Sequence, residues 1–209
     1  MANPNLGLLV AMAQALGPLR ERVVFVGGCA TGLLMSQPAL ADIRPTEDVD
    51  AIVEVATLAG YHRLTQELVT RGFRQTMENN TPPFRWFWQR MQLDLVPLDD
   101  KVMGFANPWY RAGFEAAVRA EPEPGLWLRH LSAPYFLATK FEAFNDRGLG
   151  YVYLSHDLED TITVVDGQVA ALLAHPEFLN ALPGIVAHST RTGRLLQRLQ
   201  TIATLASTN

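Results

Sequence analysis

The chain of 209 residues contains a single cysteine, Cys29. That excludes a disulfide framework and any zinc site built from clustered cysteines. No apolar run approaches the roughly 20 residues that a bilayer-spanning helix needs. The opening Asn3-Pro4-Asn5 lacks the basic and long apolar regions of a signal peptide. The five histidines show no metal-ligand spacing, and there is neither an internal repeat nor a low-complexity tract. Charge is also scarce, at 18% of residues, and 17 basic against 21 acidic side chains leave a net charge of −4. A pI near 5.7 argues against a large, uniformly basic nucleic-acid surface. These absences point to a cytoplasmic protein with no membrane partner. Against them stands a hydrophobic content of 48%, which is globular and rules out a largely disordered chain.

The hydrophobic pattern predicts an α/β half followed by a helix-rich half. Leu6 to Leu19 reads as a helix. Val23 to Val26 is a short β-branched strand, ended by Gly27-Gly28 and followed by a helix start at Ala30 to Met35. Ser36 to Glu47 reads as a loop, and Asp48 to Val55 as a strand. An amphipathic helix covers Tyr61 to Thr70, and Phe84 to Trp88 with Met91 to Val96 forms a β-ribbon. Asn107 to Ala120 is predicted as a helix, with Asn107 as N-cap and Pro108 at its first position. Glu121-Pro-Glu-Pro-Gly125 is the strongest linker signal, and a last strand follows at Trp127 to Leu131. Helices are expected over Pro134 to Asp146, His156 to Val165, Gln168 to Ala174 and Ser189 to Ala206. The predicted domains are therefore 1–122 and 123–209, with a ligand cleft expected between them.

Acids in unusual places carry the chemistry. Asp48 and Asp50, two apart on a strand, share one face while Val49 faces the opposite layer. Like charges side by side cost energy unless a cation neutralises them, and Mg²⁺ suits oxygen ligands and phosphates. Asp94 is a third acid, inside the apolar strand Met91-Gln-Leu-Asp-Leu-Val96. Three carboxylates on neighbouring strands can hold two metal ions that clamp a phosphoryl displacement. A solvated strand edge would explain the same acids without any metal. Gly27-Gly28, between strand and helix, would let backbone N–H groups approach a phosphate, or would simply supply a turn with positive φ.

Other residues have two readings each. Lys140, between Thr139 and Phe141, is either a snorkelling surface lysine or a point charge for a triphosphate. Arg147 lies one heptad after Lys140 and shares its face if the helix continues past Asp146. Asp157 and Asp160 share a helical face, where helix capping is the competing role for Asp157. Arg44 and Thr46 fit a phosphate, or else Thr46 is a loop hydrogen-bonder and Arg44 pairs with an acid such as Asp42. Cys29 reads as a small buried residue. Trp86 and Trp88 read as core first and as base-stacking groups second. Arg191, Arg194 and Arg198 read as a solvated helix face that could contact RNA.

Together these motifs are more specific than their parts. Strand, Gly27-Gly28, helix, then Arg44-Pro-Thr46-Glu-Asp48-Val-Asp50 and the lone Asp94 resemble the DNA polymerase β-like nucleotidyltransferase superfamily. Ser132-Ala-Pro134 through Lys140, then Asp146-Arg147-Gly148 and Ser155-His-Asp157-Leu-Glu-Asp160, are similar to the AbiEii/AbiGii toxin-type nucleotidyltransferases. The resemblance implies an α+β fold. A polymerase β-like domain with a mixed sheet flanked by helices would be followed by a C-terminal helical domain. It implies transfer of a nucleotide from an NTP with loss of pyrophosphate, using Mg²⁺ or Mn²⁺. Asp48, Asp50 and Asp94 would bind metal, and Asp94 would help remove the proton of the attacking hydroxyl. Gly27, Gly28, Arg44, Thr46, Lys140, Arg147, Asp157 and Asp160 would serve the nucleotide. Known members modify tRNA acceptor ends, and many are toxins paired with an antitoxin protein. An antibiotic or other small-molecule acceptor, or a non-catalytic nucleotide-binding module, are the alternatives.

Overall fold

A computed structural model describes residues 4–34, 45–76 and 81–147. It shows an α+β architecture built on one mixed sheet of six strands. Helix α1 (Pro4–Leu16) leads through a 3-10 turn (Gly17–Arg22) into strand β1 (Val23–Val26). Helix α2 (Thr31–Leu34) and strand β2 (Asp48–Val53) follow, then helix α3 (Leu58–Thr70). Strands β3 (Arg85–Trp88) and β4 (Met91–Pro97) come next, then the short helices α4 (Asp100–Met103) and α5 (Tyr110–Glu115). Strands β5 (Val118–Glu123) and β6 (Leu126–His130) close the sheet before helix α6 (Ala133–Arg147).

The strand order is β3-β4-β2-β1-β6-β5. β1 runs antiparallel to β2, and β2 runs parallel to β4. The parallel step needs a crossover, which α3 supplies. Thr57 caps α3, its hydroxyl accepting from the Gly60 amide at 3.1 Å. Tyr61, Leu64 and Leu68 then line its buried face. From α1, Leu9, Met12, Ala13 and Leu16 recur at helical spacing and are fully buried. They join Val49, Ala51 and Val53 of β2 and Leu93 and Leu95 of β4 in one core. That core takes the odd-numbered face of β2 and β4. The strand period of two therefore sends Asp48, Asp50 and Asp94 to the other face. All four residues of β1 are buried, as its unbroken apolar run requires of a central strand.

Two expectations change. The run Glu121–Gly125 is not a linker: it ends β5 and forms the turn to β6, with Gly125 at φ +80°. Pro122 is tolerated because it lies on an edge strand within the register shift between Ala120 and Glu123, and Pro124 falls in the turn. The helix expected over Asn107–Ala120 is confined to α5, and Val118 to Ala120 pair with Leu128 to His130 instead. Asn107 is not its N-cap: α5 starts at Tyr110 after Trp109, and the Asn107 side chain instead accepts from the Trp109 amide at 3.0 Å in the turn before the helix. The chain forms two compact units. One comprises residues 1–33 and 38–132, and the other residues 34–37 and 133–209. The three helices expected beyond residue 150, with Arg191, Arg194 and Arg198, lie outside the described residues.

Candidate active site

The site is assembled at the ends of β1 and β2 and along β4. Asp50 and Asp94 are partners in the parallel register of β2 and β4, and Asp48 sits opposite Gln92. The three aspartates each offer a carboxylate oxygen, and these oxygens lie within 4.8 Å of one another. Asp48 and Asp50 are half-buried, and Asp94 is buried. They are the sole group of three or more potential metal-ligating side chains among the described residues.

Gly27 closes the site on the β1 side. Its backbone takes φ +70° and ψ −166°, a region open essentially to glycine alone. A Cβ there would also overlap the Asp50 carboxylate. The glycine therefore serves Asp50, letting its carboxylate lie against the end of β1. Thr46 lies against Gly28, with its side chain 3.8 Å from where a Gly28 Cβ would stand. Its hydroxyl donates to Asp48 Oδ1 at 2.6 Å.

Sequence reasoning missed three supporting side chains. Asn5, buried on α1, accepts from the Thr46 amide at 2.9 Å, and its Nδ2 makes a long 3.5 Å bond to the Gly28 carbonyl. It ties the glycine turn to the segment that carries Asp48. No local motif could reveal a contact between residues 41 positions apart. Arg85 of β3 grips Asp94 with a fork: Nε donates to Oδ1 at 2.9 Å and Nη2 to Oδ2 at 2.8 Å. The Asp94 bonds, and the charges of Asp94, Asp48 and Asp50, push the Arg85 pKa further up. Gln92, two residues before Asp94, stands beside the same fork; with its amide assigned so that both ends are satisfied, its oxygen accepts from Arg85 Nε at 3.1 Å and Nη2 at 3.2 Å. Arg85 did leave a signal. Counting back from the tight Gln89-Arg90 turn of the expected ribbon pairs Trp88 with Met91 and Arg85 with Asp94, the register observed.

The remaining expected site residues divide. Gly27, Gly28, Thr46, Asp48, Asp50 and Asp94 come together as described. Lys140 lies on α6, in the second compact unit, with its ammonium 5.6 Å from the Phe136 ring centroid. Helix α6 runs through both Lys140 and Arg147. Arg44, Asp157 and Asp160 lie outside the described residues. Cys29 is buried, its thiol 3.3 Å from the Val26 carbonyl. Trp86 is buried in the core, and Trp88 packs partly buried against it.

The donor set fits a hard divalent cation. Carboxylate oxygens suit Mg²⁺ or Mn²⁺, and opposite ligands of one Mg²⁺ lie about 4.2 Å apart. A spread of up to 4.8 Å needs only a small adjustment to reach that.

No family model matches the chain, and no curated protein matches it. Solved structures do. An antigenic nucleotidyltransferase-like protein from Paracoccidioides brasiliensis superposes with a TM-score of 0.59 at 19% identity, over 95% of this chain and 93% of that one. The antibiotic-resistance factor ANT(2'')-Ia gives a TM-score of 0.48 at 14% identity, over 100% of this chain and 94% of that one. The first likeness assigns this chain a nucleotidyltransferase-like fold. Among the described residues, no helix is long and apolar enough to cross a membrane.

Proposed function

We propose that this protein is a metal-dependent nucleotidyltransferase, moving an NMP from an NTP to an acceptor hydroxyl. One observation carries the reading: three carboxylates from two parallel strands converge beside a glycine turn that makes room for one of them. The nucleotidyltransferase-like fold supports it. The acceptor oxygen bonds to the α-phosphorus as the bond to the leaving pyrophosphate breaks. No covalent enzyme intermediate is needed, because such transfers depend chiefly on positioning and charge stabilisation. Asp48, Asp50 and Asp94 would hold Mg²⁺ or Mn²⁺, which supplies charge stabilisation at the triphosphate and activates the acceptor oxygen. Thr46 orients Asp48, Gly27 admits Asp50, and Asn5 locks the two segments together. Asp94 takes up the hydroxyl proton. Its oxygens keep lone pairs beyond those used by Arg85. Lys140 and Arg147 serve the triphosphate, with Arg44, Asp157 and Asp160 completing the nucleotide set.

For the acceptor, the resemblance to AbiEii/AbiGii-type toxins favours a tRNA 3′ end, with a cognate antitoxin as protein partner. The test is incubation of the protein with each labelled NTP, Mg²⁺ and total tRNA, following both pyrophosphate release and label on RNA. Pyrophosphate release without labelled RNA would reject the tRNA acceptor and favour a small molecule. Absence of release with every NTP and acceptor would reject the enzyme. Asp48→Ala and Asp50→Ala are expected to abolish release while the fold persists. Wild-type turnover in either variant would remove the metal role assigned to them.

A further inference from the structure

The chain is acidic overall, yet one stretch of it is not. Between Glu67 and Asp94 the described residues include Arg71, Arg74, Arg85 and Arg90 and no acid. The fold brings Arg74, Arg85 and Arg90 to the β3 edge of the sheet. Arg85 is taken by Asp94, and the Arg71 guanidinium lies against Gly17. Arg74 pairs through its backbone with Phe87 on the outer side of β3. Its Nη2 donates at 3.4 Å to the Gln89 carbonyl, in the tight turn that Arg90 completes. Arg74 and Arg90 are exposed, and no described acid forms an ion pair with either. The far edge is different: β5 carries Glu121 and Glu123 beside Arg119, which pairs with Glu21.

The basic turn adjoins the acid cluster. Gln92 is level with Asp48, and Arg90 stands two residues before Gln92, about 7 Å back along the strand direction. Arg85 points to the acids and Trp86 into the core, so alternation sets Phe87 on the acids' face. Phe87, Gln92 and Asp48 form one row across β3, β4 and β2, and Phe87 is half-buried there. Exposed cations beside an aromatic face suit single-stranded nucleic acid: phosphates take the charge and bases stack on the ring. The same cations hold a polyanion next to carboxylates that would otherwise repel it.

We infer that the β3 edge is the docking surface of the acceptor, and that the acceptor is the hydroxyl-bearing end of a single-stranded polynucleotide. Phe87 stacks on a base near that end, Arg74 and Arg90 hold phosphates behind it, and the terminal hydroxyl meets the acid cluster. The acceptor role rests on the nucleotidyltransferase reading above, whereas binding at this edge is measured without it.

The experiment follows fluorescence anisotropy of a short, 5′-labelled single-stranded RNA titrated with the full chain, without NTP, over a range of salt. Arg74→Ala/Arg90→Ala is expected to bind about 20-fold more weakly at about 0.1 M salt, with a log–log salt slope shallower by about 1.4, two phosphate contacts at about 0.7 each. Arg74→Lys/Arg90→Lys should restore the slope, because phosphates accept a point charge; a merely structural role of the guanidiniums would not be rescued. Phe87→Leu should weaken binding about tenfold and leave the slope unchanged. Arg119→Ala, at the far edge, should match the wild type. A wild type that does not bind the RNA overturns the inference. So does wild-type affinity and slope in the double alanine variant, or an equal loss in Arg119→Ala. Equal affinity for a duplex, with no loss in Phe87→Leu, overturns the single-strand assignment. Pyrophosphate release with a small acceptor but no RNA binding overturns this surface and leaves the reaction standing. RNA binding that the variants lose, with no release from any NTP, keeps the surface and overturns the reaction.

Discussion

The β3–β4 and β5–β6 hairpins form opposite edges of the same sheet, and each carries an arginine on its outer strand. Arg85 on β3 grips a buried acid from its own hairpin partner. Arg119 on β5 reaches Glu21 at 3.4 Å and lies 5.5 Å over the Trp127 ring, with both charged groups largely in water. The inner strands explain the contrast. β4 is buried from Leu93 to Pro97, so Asp94 must find a partner inside the protein. β6 alternates, and its exposed Trp127 and half-exposed Arg129 look outward. An arginine and a carboxylate therefore make a buried fork at one edge and a solvated pair at the other. Burial of the acid makes the difference.

The sharpest way to break this comparison is to remove each arginine in turn. Arg85→Ala strands a buried carboxylate among two others and should cost about 3 kcal/mol of stability. Urea unfolding would measure it, and a loss under about 1 kcal/mol would mean that Asp94 finds another partner. Next in size is Gly27→Ala, expected to cost about 2 kcal/mol through backbone strain and displacement of Asp50. Mn²⁺ binding should fall with it, and an unchanged affinity would show that Asp50 does not need the glycine.

The β5–β6 hairpin has one buried titratable group, His130, which pairs with Phe25 of β1. Burial lowers its pKa below the usual 6.5, against a smaller opposing effect of the Leu131 carbonyl at 2.8 Å. The unfolded chain thus takes up the proton first as pH falls. The stability due to neutral His130 is full above pH 6.5 and declines as pH drops towards the folded pKa. The slope is at most about 1.4 kcal/mol per pH unit. Melting temperatures at pH 7.5 and 5.5 should differ more for the wild type than for His130→Gln; equal differences would refute the assignment. The smallest effect is expected from Arg119→Ala, within about 0.5 kcal/mol of wild type. A larger loss would erase the distinction between the two edges.

The half of the sheet that builds the site was the half most legible in the sequence. Val23–Val26 is β1 as expected, and the ribbon and Asp48 strand differ from β3, β4 and β2 only near their ends. Each has a strong local cause: a β-branched run, a two-residue period or a tight turn. The β5 strand was illegible because Val118-Arg-Ala-Glu has helical neighbours and an exposed, proline-containing continuation. Its strand state comes from pairing with β6. In the same way Asp48 and Asp50 announce their shared face and the ribbon register sets Arg85 opposite Asp94, but Asn5 acts through a contact that no local pattern contains.

What the sequence by itself determined is the chemistry that the strands display. Alternation puts Asp48 and Asp50 together on one face and marks Asp94 as an acid inside an otherwise apolar strand. Only the tertiary structure decided that β2 and β4 lie side by side in parallel, with Asp50 level with Asp94. The same assembly set Arg85 on that third acid. The physical reason is range. Strand period and backbone sterics act between neighbours in the chain. The meeting of three like charges, and the cation that balances one of them, depends on which strands the buried core brings into register.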